Sequence, residues 1–72
     1  MHGNEYQTMS DLTLVQQLTA IPNDDFINIH VDGKQINERC IDFFFDPRLV
    51  EIAGRKVIKI KPNLSQIEIF LL

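Results

Sequence analysis

The residues able to do chemistry are few and scattered. His2, His30 and Cys40 are the soft metal ligands, and no two stand at a paired spacing such as C-x₂-C or H-x₃-H. Structural zinc takes four ligands from one place, so no metal site is expected. Cys40 falls in a run that alternates like a strand, where a lone cysteine behaves as a small buried hydrophobe rather than an activated thiolate. Ser10 reads as part of a helix start and Ser65 as part of a turn, and neither is flanked by the glycines of a nucleophile elbow.

Acidic residues are more numerous. Asp24, Asp25, Asp42 and Asp46 could converge on magnesium, but no acid stands two residues before Lys56, Lys59 or Lys61, as a nuclease core would need. Gly3, Gly33 and Gly54 are isolated, which excludes a glycine-dense phosphate cradle. No catalytic residue, metal ligand or cofactor is expected, and the chain reads as a non-enzyme.

The net charge of -3 is unevenly distributed. Up to Asp46, eight acids against Lys34 and Arg39 leave -6, whereas Arg48, Arg55, Lys56, Lys59 and Lys61 against Glu51 and Glu68 give the remainder +3. Those five cations span fourteen positions, and strand alternation sets Lys59 and Lys61 on one face, a short stripe able to track phosphates. Against nucleic acid stand the acidic first half and the lack of an aromatic within the basic run to stack a base.

The elements that must position these residues follow from periodicity. Residues 1–7 lack a pattern and read as a flexible leader to a single domain over 8–72. Thr8 and Asp11 resemble a capping box, and Leu14, Val15, Leu18 and Ile21 recur at helical spacing, predicting a helix from about Met9 to Ala20 that Pro22 stops. Phe26 to Val31 alternates as a strand, and Asp32-Gly33 is the signature of a two-residue hairpin turn. In that register Val31 faces Lys34 and Ile29 faces Ile36. The returning strand is expected to run towards Phe45, with apolar residues on both faces.

Residues 47–53 carry two readings. Asp46 as cap, Pro47 at the first position and Gly54 past the end describe a short helix, whereas alternation through Leu49 to Ile52 describes a strand. The three end signals favour the helix; a strand there would allow a five-stranded barrel. Strands at about 56–61 and 66–72 complete the chain, with Ile58 and Ile60 expected opposite Val57, Lys59 and Lys61. The fold class is therefore α+β, an N-terminal helix packed on a small, mainly antiparallel sheet of four or five strands.

One cysteine permits no internal disulfide, and no run approaches the roughly 20 apolar residues of a membrane span, so a soluble, cytoplasmic protein is expected. The last strand, Ile67 to Leu72, has apolar residues on both faces and only Glu68 as a charge, more than one helix can cover. The functional expectation is a non-catalytic protein-binding or regulatory module, of inhibitor or adaptor type, acting as a homodimer through Phe43, Phe45, Phe70, Leu71 and Leu72. The alternative is a nucleic-acid-binding protein using Arg48, Arg55, Lys56, Lys59 and Lys61.

Overall fold

A computed structural model describes residues 12–72. The expected leader, the Thr8–Asp11 capping box and the first turn of the expected helix lie outside those residues. The helix that is described, α1 (Leu14–Leu18), is capped by Thr13. Its hydroxyl accepts the Gln16 N–H at 3.4 Å while the Gln16 side chain accepts the Thr13 N–H at 2.9 Å, a reciprocal capping box five residues beyond Thr8. Leu14 and Leu18, four apart on one face, are both buried.

Strand β1 (Phe26–Val31) turns at Asp32 and Gly33 into β2 (Lys34–Arg39), in the register read from sequence, Ile29 opposite Ile36 and Val31 opposite Lys34. Both turn residues have positive φ, 53° and 77°, as a type I′ turn demands.

Beyond Arg39 the expectation of a continuing strand fails. Cys40–Phe43 is a short helix, α2. The Cys40 N–H bonds the Asp25 carbonyl at 2.7 Å and the Ile41 N–H bonds that of Asn23 at 3.0 Å, so the loop before β1 ends the hairpin. Arg39 then reaches Asp42 three positions on, at 3.1 Å, across the first turn. Of the aromatic residues expected on both faces of a strand, Phe43 points into the core and Phe44 and Phe45 point out of a helix end. A second short helix, α3 (Leu49–Ile52), occupies the ambiguous segment. Asp46 accepts the Arg48 N–H at 2.9 Å at its start, and Leu49 and Ile52, at i and i+3, pack on the core.

Strands β3 (Val57–Pro62) and β4 (Ile67–Leu71) complete a four-stranded sheet in the order β2-β1-β4-β3. The two outer pairings are antiparallel, but the central one, β1 with β4, is parallel, which makes the sheet mixed, with two antiparallel pairings of three. The charge of the strands accounts for their order. β2 holds Lys34, Glu38 and Arg39, and β3 holds Lys59, Lys61 and Pro62, residues suited to edges. β4, with one charge, takes the centre.

A bulge between Val57 and Lys59 exchanges the expected faces of Val57 and Ile58 and leaves those of Lys59, Ile60 and Lys61 as read from sequence. Val57 and Ile60 turn to the core, while Lys59 and Lys61 face outward and Ile58 is exposed. One face of the sheet, with Ile27, Ile29, Val31, Val57, Ile69 and Leu71, forms a single buried cluster with side chains of α1, α2 and α3.

Candidate functional site: the open face of the sheet

The other face carries two rows of side chains running across all four strands. Register sets Gln35, His30, Phe70 and Lys59 in the first row and Asn37, Asn28, Glu68 and Lys61 in the second. In the first row the His30 and Phe70 rings stack, with centroids 4.1 Å apart and planes 8° from parallel, and Lys59 Nζ lies 4.5 Å from the Phe70 centroid on β3's side. Parallel, in-register neighbours stand side by side, so imidazole, phenyl and ammonium form one file.

The rows are tied together by a diagonal bond. His30 Nε2 donates to Glu68 Oε1 at 2.7 Å, and the other Glu68 oxygen accepts from the Asn63 amide. A proton on Nε2 leaves no lone pair there for Asn28, whose amide lies 3.4 Å away and donates instead to Gln35 Oε1 at 2.9 Å. That bond occupies the amide donor of the one buried polar side chain among the described residues. Asn37 donates to Gln66 at 2.7 Å and closes the set.

Charge and hydrogen bonding act on the acids in opposite directions. The hydrogen bond from His30 holds the Glu68 carboxyl below its ordinary 4.5, and the Arg55 guanidinium holds Asp32 below 3.8. Such depressed groups favour the folded state above the ordinary pKa, and the benefit disappears as pH falls through the lowered value. Glu38 runs the other way: burial, then the neighbouring Asp46 carboxylate, push it up, so its ionisation opposes folding. We therefore expect stability to fall on acidification below about pH 5. Glu68→Gln should flatten that fall in chemical melts followed by circular dichroism, whereas an unchanged slope would show that the His30 bond does not form in solution.

The structure divides the residues singled out from sequence. Phe43 and Leu71 lie in the core, Phe70 is half-buried between His30 and Lys59, and Phe45 and Leu72 are exposed. Both edges of β4 are taken by β1 and β3, so this strand is unavailable for strand addition. Its apolar residues on two faces are covered by the core on one side and by the file of His30 and Lys59 on the other.

The basic set is likewise dispersed. Arg48 bonds Asp46 at 2.7 Å and Glu38 at 3.2 Å; Arg55 makes a two-pronged pair with Asp32 at 2.8 and 2.9 Å and donates to the Leu72 carbonyl at 3.0 Å. Lys56 stands at the head of β3, where its carbonyl accepts the Leu72 N–H. Only Lys59 and Lys61 share the open face. The aromatic missing from the basic run is supplied from β4, since Phe70 sits beneath Lys59. No local spacing announces the His30, Glu68 and Phe70 grouping, which exists only because β1 and β4 pair in parallel nearly forty residues apart.

Chemically the face offers amides, an imidazole with its proton fixed towards a carboxylate, and two ammonium groups. Among the described residues no three of His, Cys, Asp and Glu converge to hold a metal ion. The Cys40 thiol is on the core side, donates to the Leu18 carbonyl at 3.3 Å, and has its pKa raised by burial. No helix of the described residues is long and apolar enough to cross a membrane. No family model, curated protein or solved structure matches the chain.

Proposed function

We propose that the domain is a small non-catalytic protein-binding or regulatory module, set in the cytoplasm, that associates with a second copy of itself. The observation that supports this reading is the apolar surface of the segment joining β2 to β3. Phe45 is 80% and Val50 83% exposed, with Phe44 partly exposed beside them, in one seven-residue stretch. Large apolar side chains scattered singly need no explanation, but three in so short a stretch suit a contact. The stretch is also held in place: Asp46, Arg48 and Glu38 join it to β2, so the aromatic groups are displayed on a braced support.

Sedimentation at micromolar concentration tests the reading. A dimer is expected, and a monomer throughout that range overturns self-association. The second reading, nucleic-acid binding, draws on Lys59 and Lys61 sharing the open face of the sheet, where they could contact phosphates. Steeply salt-dependent capture of a single-stranded oligonucleotide, weakened by Lys59→Ala with Lys61→Ala, would favour it instead.

A further inference from the structure

The two edges of the sheet are not equivalent. The outer edge of β3 is blunted by its bulge, by Pro62, and at its start by an antiparallel bridge between Thr13 and Lys56, with the Val57 N–H on the Leu12 carbonyl at 3.0 Å. β2 has none of these devices. It runs six residues in unbroken register with β1, without bulge or proline.

The phase of its ladder fixes which backbone groups face outward. A two-residue turn makes Val31 and Lys34 a hydrogen-bonded pair, and the bond from Cys40 to Asp25 closes the far end in the same phase. Lys34, Ile36 and Glu38 therefore spend their backbone groups on β1, while Gln35 and Asn37 turn theirs outward. Among the described residues nothing pairs with those outward groups. A groove lies along this edge between β2 and α3, lined by Lys34, Ile36, Arg48, Glu51 and Ile52.

From these observations we propose that the outer edge of β2 is where a second copy docks, β2 against β2 antiparallel, with Ile36 facing Ile36 and each Lys34 opposite Glu38 of the other copy. The inference rests on the self-association proposed above and adds to the exposed Phe45 and Val50 the neighbouring β2 edge, to which Arg48 ties that segment through Glu38. Outward-bonding residues must meet outward-bonding residues, which restricts the registers. Setting Gln35 against Asn37 brings Ile36 onto Ile36 in a close, non-hydrogen-bonded pair and forms two Lys34–Glu38 pairs. Centring on Asn37 instead places Ile36 opposite Glu38 and Gln35 opposite Arg39, with no charge matched. The first register also answers an imbalance within the chain, because Glu38 and Asp46 share the single guanidinium of Arg48. Lys34 of a second copy brings the missing cation.

Edge pairing buries less than a standard interface, so micromolar dissociation is expected. Asn37→Pro removes the outward backbone donor together with the side-chain bond to Gln66, whereas Asn37→Ala removes the side-chain bond alone; the proline variant should weaken the dimer tenfold or more relative to the alanine variant while circular dichroism shows the fold retained. Lys34→Glu and Glu38→Lys should each weaken it about tenfold, by placing like charges opposite one another twice, and the double variant should recover to within about threefold. Under oxidised glutathione, Ile36→Cys should give a disulfide-linked dimer and Asn37→Cys should not. The charge reversals and the cysteine pair decide the matter even if the proline variant fails to fold. A wild-type monomer overturns both this inference and self-association. A dimer indifferent to the charge reversals, or one that links through Asn37→Cys instead, overturns the β2 edge alone and leaves self-association standing.

Discussion

Phe43→Ala is expected to lower stability by about 3–5 kcal/mol, while Phe45→Ala, two residues on, changes it by no more than about 0.5 kcal/mol. Phe43 is 1% exposed and is the largest fully buried side chain of the fold. It is also the anchor of α2, a single turn with no side-chain cap, too short to persist on its own hydrogen bonds. Removing the ring leaves a cavity that backbone held at both ends, by Asp25 before β1 and by Asp46 before α3, cannot readily collapse to fill. Since a single core of this size supplies only about 3–5 kcal/mol of net stability, the variant should be largely unfolded at 37 °C. Urea melts of the two variants by circular dichroism make the comparison. Equal costs at Phe43 and Phe45 would mean that the segment is a strand with both rings covered, as the alternation suggested.

That alternation shows where sequence patterns succeed and where they mislead. The hairpin was legible because its determinants are local: Asp32 and Gly33 accept positive φ, and the strands on either side alternate over six residues. The short helix at Leu49–Ile52 was legible for the same reason, from an aspartate, a proline and a glycine around its ends, although Arg48 rather than Asp46 stands at its N-cap. Cys40 to Phe45 was not, because four residues hold barely one helical period, and burial at i and i+3 can look like two strand faces. What turned the chain there was a bond from Cys40 to Asp25, fifteen residues back, which no window around Cys40 contains. One inserted residue at the bulge in β3 likewise moved Ile58 out and Val57 in, a change of face that composition does not record.

The candidate site was less legible than the fold, and for a physical reason. Its parts are single residues on four strands: Gln35, His30, Phe70 and Lys59 are individually ordinary, and only the strand order brings them into one file. The charges on β2 and β3 could have pointed to the strand order, since the strand with least charge belongs at the centre. The expectation of surplus apolar area at Ile67 to Leu72 assumes that only a helix can cover a face of the sheet. With two neighbours and a stacked imidazole, Ile67 to Leu71 are covered, and exposed apolar side chains stand instead at Phe45, Val50, Leu64 and Leu72.

The central position of β4 carries its own expected result, a loss of about 2–5 kcal/mol on Ile69→Ala. Ile69 has no exposed surface and sits in register with Ile29 on one side and Ile60 on the other, so truncation opens space between two strand interfaces at once. Ile29 and Ile69 also share neighbours in the core, and their losses should not add: the double variant Ile29→Ala with Ile69→Ala should depart from the sum by at least about 0.5 kcal/mol. Ile69 paired with Phe43→Ala is a weaker test, because both are large and the doubly truncated chain would not fold. Hydrogen exchange gives the same distinction without substitution. Amides of β4 should be among the slowest to exchange, those of Gln35 and Asn37, which turn outward on β2, among the fastest in a monomer, and the latter should slow with protein concentration if that edge is the one that pairs. Rapid exchange along β4 would place it at an edge and return the last strand to the role its composition first suggested.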